Sequence, residues 1–318
     1  MANETLKSKK IIPTVEIKRK KKIFVPDGSL WWAKTHAMNP TVDVLDDRIR
    51  VYFSSLDKEN VGRIGYVDLD KNNPEKIITV SKEPVLDIGD DGMFDDNGVI
   101  PSCIMNYNGK KYLYFYGFQL LKKVRFSLFT GVAVSDDEGL TFKRCSQTPL
   151  LDRLDKDPFI RSLPFMMEEK NSFSLWYNGV CEWTEVKGKK LPVGNIRRVE
   201  SNSPLNFSES EIINCLSPQT NEFSLSRPFI FKMDDLYKML FSVRDRATDS
   251  YKPGYAESKD GKVWFRNDSE LKVSESVDDW DKDMMCYTTL TVIDNKNYLF
   301  YNGNGFGATG FGYAEINF

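Results

Sequence analysis

The residues of this chain equipped for chemistry are acids, arginines and large aromatics placed just ahead of short apolar runs. Asp95 and Asp96 precede Val99, Asp157 precedes Arg161, Glu222 precedes Arg227, and Asp283 with Tyr287 takes the same place near the C-terminus. Carboxyl groups held in pairs divide general-acid and general-base work, or supply a nucleophile, when their surroundings set their pKa values apart. Arg161, Arg227 and Arg244 carry permanently charged forks that grip a carboxylate or phosphate with two parallel hydrogen bonds. An equally open reading pairs these arginines with Asp157, Glu222 and Asp245 as ties within the fold. Trp31, Trp32 and Trp183 offer flat apolar faces with a polar rim. Packing between sheets is the competing role, and it is the one expected of Trp176 and Trp264. His36, the single histidine, either meets a ligand or tunes a carboxylate, or is a satisfied structural group. Asn302 and Asn304 stand in a glycine-rich stretch over 301–313 as hydroxyl partners. That stretch lacks phosphate-loop spacing followed by Lys-Ser/Thr, which disfavours nucleotide binding.

The elements that must position these groups are strands. Apolar residues fall in short β-branched or aromatic runs broken by Asn, Asp, Gly and Pro, the all-β pattern. Asn108-Gly109 between two such runs predicts a tight hairpin, because both residues tolerate positive φ. Runs over 49–53, 112–116, 173–177, 237–241 and 298–301 repeat one another, each preceded by a strand that ends in a polar turn. Third strands recur as Gly131-Val132-Ala133, Gly254-Tyr255-Ala256 and Gly312-Tyr313-Ala314, and fourth strands fit 75–80, 142–145, 210–214 and 263–266. The last repeat ends at Phe318 without a fourth strand, which residues 23–26 or 11–17 would supply. The predicted fold is therefore all-β, a five-bladed β-propeller of four-stranded antiparallel blades, since radial repetition protects sheet edges. It occupies 23–318 as one domain behind a polar N-terminal arm over 1–22. In that geometry the polar residues ahead of each first strand converge on one central channel. Ser135, Asp137, Gly139 and Phe142 have aspartate-box spacing, and Ser258, Asp260, Gly261 and Trp264 a shortened form; both read as turn scaffolding.

Composition limits the partners. With 44 basic against 46 acidic residues the formal charge is −2, so no nucleic-acid partner is expected. The basic run over 18–22 reads as a solvated arm or edge. No secretory apolar segment and no membrane span is recognised, and a cytoplasmic address is expected. Five scattered cysteines without CxxC spacing argue against a disulfide framework or zinc site. No cofactor and no dedicated metal site is expected. A Ca2+ ion in the central channel, held by carboxylate and carbonyl oxygens, is the one option left open.

On the blade layout over residues 31–318 and the inner-strand acids, the sequence resembles the five-bladed glycoside hydrolases. That group includes arabinanases and β-xylosidases, invertase-type fructosidases and β-mannoside phosphorylases. The resemblance implies a glycosidase or related glycosyl-transferring enzyme, with a carbohydrate or sugar-phosphate ligand and acids on successive inner strands. It assigns Asp96 as base or nucleophile and Glu222 as acid, with Asp95 and Asp157 as substitutes; the separation of the working pair would set retention or inversion. Trp31, Trp32, His36, Asn39, Arg161, Arg227, Arg244, Tyr287 and Asn302 would line the substrate site. Asn39-Pro40-Thr41 departs from the group, because an amide stands where an Asp-Pro motif is expected. A non-catalytic carbohydrate-binding propeller is the alternative that this departure favours.

Overall fold

The structure, a computed structural model, describes residues 14–207, 211–276 and 278–318. Strand β1 (Val15–Phe24) is followed by a first antiparallel meander of β2 (Thr35–Val44), β3 (Arg48–Leu56), β4 (Gly62–Asp70) and β5 (Ile77–Val80). The second comprises β6 (Val99–Tyr107), β7 (Lys110–Leu120), β8 (Phe126–Ser135) and β9 (Lys143–Arg144). The third comprises β10 (Ile160–Glu168), β11 (Phe173–Val186), β12 (Lys189–Ser201) and β13 (Ile213–Leu216). The fourth comprises β14 (Glu222–Met233), β15 (Leu236–Asp245), β16 (Tyr251–Ser258) and β17 (Phe265–Arg266). After β18 (Leu271–Val273), the chain ends with β19 (Cys286–Ile293), β20 (Lys296–Asn302) and β21 (Phe311–Asn317). The five repeated aromatic runs become β3, β7, β11, β15 and β20, and the Asn108-Gly109 turn joins β6 to β7. Of the expected fourth strands, the one over 210–214 begins at Ser210, outside the described residues, and β13 starts three residues later.

Strand β1 pairs antiparallel with β21 and parallel with β18, so the chain's first described strand completes its last sheet. The arm expected over 1–22 thus gives way to strand at Val15; the expected outer strand over 11–17 lies partly outside the described residues. Strand pairing reaches this far because alternate side chains of β1 are apolar: Val15 and Ile17 are buried. The basic run faces outward and pairs locally, Lys20 with Glu315 and Lys21 with Glu75, both at 3.0 Å. No helix among the described residues is long and apolar enough to cross a membrane.

Adjacent meanders touch through single parallel bridges, Gly62 with Gly98, Arg161 with Phe129 and Gly194 with Ser224. The aspartate-box turns add to these contacts. Ser135 Oγ accepts from the Gly139 N–H at 2.8 Å, and Asp137 Oδ1 from the N–H groups of Leu140 and Thr141. Partial burial opposes ionisation of Asp137, but the Thr141 and Ser135 hydrogen bonds prevail and bring its pKa down to about 2. The turn's Gly139 carbonyl accepts from the Tyr52 hydroxyl of the first meander at 3.0 Å. Likewise Gly261, in the second box, accepts from Trp176 Nε1 of the third meander at 3.2 Å. These acids are scaffolding, as their spacing predicts.

The second strands carry a further tie. Asn302 on β20 donates from Nδ2 to the Ala37 carbonyl and accepts the Asn39 N–H on Oδ1 at 2.7 Å, joining the last meander to the first. Asn178 reaches the Leu225 carbonyl in the same way, and Ser242 Oγ accepts the Tyr287 N–H. Asn302→Leu would leave a buried N–H and a buried C=O without partners. Each such group is destabilising by roughly 1–3 kcal/mol, so we expect a loss of about 2–4 kcal/mol in urea unfolding, with an unchanged m-value.

Candidate functional site

The strands that open each meander, β2, β6, β10, β14 and β19, all slip register against their neighbours at one level. The shifts fall at Met38/Thr41, Pro101/Cys103, Ser162/Phe165, Ser226/Phe229 and Cys286/Thr289. In four of the bulges a non-glycine residue takes positive φ: Asn39 at 54°, Leu163 at 52°, Arg227 at 51° and Tyr287 at 58°. Such conformations are strained by about 1–3 kcal/mol each and gather at functional sites. Pro40, Pro164 and Pro228 follow three of them, and a residue with no N–H leaves no donor stranded in a bulge. His36 and Phe306, at φ 62° and 60°, add strain at the same end of the sheets.

Above these bulges stand the predicted acids, and arginines claim most of them. Asp95 is fully buried with its Oδ2 on Arg144 Nε of β9 at 2.7 Å; burial pushes its carboxyl up, and Arg144 offsets only part of this. Asp157, also fully buried, contacts Arg197 Nε at 2.6 Å and accepts from the Tyr177 hydroxyl at 2.8 Å; Arg161 stands 4.0 Å away. Glu222 receives both arms of Arg266, at 2.7 and 2.9 Å, and the Gln219 N–H. Burial raises its pKa, but Arg266 outweighs that and holds the carboxyl below its usual value. Asp281, ahead of β19, meets Arg19 of β1 at 3.6 Å. An acid at or just ahead of the first strand and an arginine from an outer strand therefore form a repeated clasp at Asp95, Glu222 and Asp281, while Asp157 takes its arginine from β12, the third strand of its meander.

Room for these acids comes from glycine. A Cβ on Gly117 would lie 2.4 Å from that of Asp95, and one on Gly179 would lie 2.7 Å from Asp157 Oδ1. The sequence signal for this arrangement is the recurrence of Phe115-Tyr116-Gly117, Tyr177-Asn178-Gly179 and Tyr301-Asn302-Gly303. Asp96 differs from its neighbours: it is half-buried and, among the described residues, meets no arginine and accepts only the Gly92 N–H, at 3.0 Å on Oδ2.

The expected pairing of arginines with acids is partly redrawn. Arg161 does face Asp157, and it also donates to the Asp152 carbonyl and the Tyr177 hydroxyl. Arg227 does not reach Glu222; it is buried among neutral acceptors. Arg244 pairs with Asp249 at 2.8 Å rather than Asp245, which instead caps its own turn, and lies against the rings of Phe223, Tyr251 and Phe306. Tyr287 packs on Tyr251 with ring centroids 5.4 Å apart.

Two predicted contact residues are enclosed. Trp32 is fully buried against Phe53, its Nε1 donating to the Lys82 carbonyl. Asn302 is occupied by the meander tie described above, and Asn39 receives that tie on its backbone. Asn304 caps the loop ahead of β19 by accepting the Asp283 and Met284 N–H groups. Trp31 is exposed and donates to Glu83 at 2.8 Å. His36 is half-buried beside Thr35, and burial lowers its pKa.

One grouping escaped sequence reasoning. Ile160 pairs with Val180, so the rest of β11 through Val186 rises past the start of its inner strand; β7 does the same beyond Gly117. These two hairpins bring Phe118, Phe126, Phe159 and Trp183 together in a chain of ring contacts 5.1, 6.4 and 6.1 Å between centroids. Phe159 is 38% exposed, and the other three rings are half-buried. They form a shelf at the start of β10, where Phe159 falls between Asp157 and Arg161 in the chain. The legible sign was the length of β11 and β12, 14 and 13 residues joined at Lys187-Gly188.

No family model matches this chain. It is 30% identical over 296 residues to the uncharacterized protein Rv1502 of Mycobacterium tuberculosis, a match that covers 93% of this chain and 97% of the relative. Among solved structures, a thermostable family-43 glycoside hydrolase aligns over 89% of this chain and 88% of its own, with TM-score 0.67 and 18% identity. A glycosyl hydrolase from Bacteroides ovatus aligns over 95% and 94%, with TM-score 0.72 and 13% identity. The same coverage and TM-score, at 12% identity, relate the chain to a structure from the GH130 family of mannoside phosphorylases, which contains glycoside hydrolases that target β-1,2 mannosidic linkages in Candida mannan. At such identities the likeness is one of fold.

Proposed function

This chain belongs to the family of the Mycobacterium tuberculosis protein Rv1502 and has the β-propeller fold of glycoside hydrolases, and from this premise we propose that it is a glycan-active enzyme. We read its meanders as five four-stranded blades around one axis, with β1 as the outer strand of the fifth. The observation that carries the functional reading is the shelf of Phe118, Phe126, Phe159 and Trp183 over the inner-strand starts. Half-exposed aromatic rings held rigidly by paired strands suit the apolar faces of sugar rings.

Of the four candidate acids, Asp96 is the one we assign to chemistry. Asp95 and Asp157 are enclosed, and Glu222, to which the resemblance gives the acid's role, is kept ionised by Arg266; we therefore move that role to Asp96, the base or nucleophile of that resemblance. In the proposed step Asp96 gives its proton to the glycosidic oxygen. The C1–O bond breaks with its electron pair passing to that oxygen; either a phosphate oxygen forms the new bond to C1, or water forms it and returns its proton to the Asp96 carboxylate. A phosphate acceptor brings its own negative charge, so a single carboxyl suffices. The alternative, a non-catalytic carbohydrate-binding propeller, is favoured by the amide at Asn39 and by the arginine-held acids.

Calorimetric titration with a panel of neutral and phosphorylated oligosaccharides tests the binding face. Trp183→Ala should weaken the best ligand about tenfold, as expected for one lost stacking contact. Absence of any saccharide binding, or an unchanged affinity in the variant, would remove the shelf from the proposal.

A further inference from the structure

Arg227 reaches across the middle of the molecule. It belongs to β14, yet it donates to the Pro101 carbonyl of β6 at 3.1 Å, the Pro40 carbonyl of β2 at 3.4 Å, and the hydroxyls of Thr41 and Thr289, both at 3.1 Å. The side chain is 1% exposed, and every acceptor is neutral. Burial pushes its pKa down to about 10, and among the described residues no carboxylate forms an ion pair with it. Buried charges in proteins are ordinarily paired, because an unpaired one forfeits its hydration.

A second set of groups around it also lacks partners. The hydroxyls of Ser102, Ser162, Ser226 and Thr288 are buried without a hydrogen bond, and so is Arg227 Nε. All four stand in or at the edge of the bulges of their strands. Ser226 adjoins Arg227, Ser102 adjoins Pro101, and Thr288 adjoins Thr289, while Ser162 holds on β10 the bulge position that Ser226 holds on β14. Four strands thus each carry an unsatisfied hydroxyl at the bulge level, the level of one uncompensated cation.

We propose that the axis of the molecule binds a small monovalent anion of the halide class, between Arg227 Nε and the hydroxyls of Ser102, Ser162, Ser226 and Thr288. One anion supplies the missing countercharge and accepts from the stranded hydroxyls, whereas water would meet only the second need. A Ca2+ ion in the channel does not fit these residues, because the guanidinium repels it. Among the described residues no three His, Cys, Asp or Glu side chains come together to hold a metal.

The test is thermal unfolding of the full chain in chloride or gluconate at one ionic strength, together with anomalous diffraction from crystals grown in bromide. Chloride should raise Tm by about 2–4 °C over gluconate, and a bromide peak should appear beside Arg227. The double variant Ser102→Ala/Thr288→Val, which keeps Arg227 and its carbonyl contacts, should lose the chloride increment and the peak. Equal Tm values in the two salts, or an axis filled by ordered water only in the bromide crystals, would overturn the site.

Discussion

Asp157→Ala is expected to lower the unfolding midpoint by on the order of 10 °C, through a loss of about 3–5 kcal/mol. The carboxyl is fully buried, touches Arg197 Nε at 2.6 Å, and orients Tyr177, which in turn receives Arg161. Removing it strands two guanidinium groups in a low-dielectric pocket, where the lost desolvation energy has no compensation. The cost is therefore set by the arginines left behind more than by the bond removed. A double variant, Asp157→Ala/Arg197→Met, should recover a substantial part of the loss, because the stranded charge leaves with its partner. Thermal melts of the two variants check this. A single variant within about 0.5 kcal/mol of the native protein, in the range of ordinary surface substitutions, would show that the clasp is not a structural tie.

Asp96→Asn should behave in the opposite way, leaving stability nearly intact and reducing turnover by roughly 10²–10⁴-fold, the usual contribution of one positioned acid. The side chain is half-buried and makes a single contact with the Gly92 N–H, which an amide oxygen can also accept. The assay uses aryl glycosides with and without inorganic phosphate, so that hydrolysis and phosphorolysis are read separately. Saccharide affinity should be unchanged, which separates loss of chemistry from loss of binding. Glu222→Gln provides the contrast: it weakens the two-armed contact with Arg266, so its effect should appear in Tm before it appears in rate. Undiminished turnover in Asp96→Asn would end that residue's assignment. Saccharide binding without turnover in the native protein would establish the non-catalytic reading.

The parts of this fold that were legible in the sequence are local ones. The Asn108-Gly109 turn, the two aspartate boxes and the five aromatic second strands each lie within a dozen residues, where propensity and turn chemistry decide the outcome. The acids ahead of the inner strands were legible as a set, but their duties were not. Asp95 finds its arginine 49 residues away and Glu222 finds its own 44 residues away, and nothing local reveals such a partner. Trp32 and Asn302 look like ligand contacts by type and are structural by burial. The aromatic shelf was hidden for a related reason, since Phe118, Phe126, Phe159 and Trp183 come from separate segments that only the hairpin lengths bring together.

The pairing of β1 with β21 has a consequence for how the chain comes to be folded. Glu16 lies opposite Asn317 and Arg19 opposite Ala314, so this first described strand must wait for nearly all of the described residues before its partner exists. Contacts of such sequence separation form late and slow folding, and an unpaired strand edge invites association with other chains meanwhile. The lysines and arginine of β1 answer that hazard, because like charges along an open edge repel a second copy. The same residues find acidic partners once the sheet is complete. The basic run, which the sequence presents as a solvated arm or edge, is thus also expected to guard the nascent chain against association.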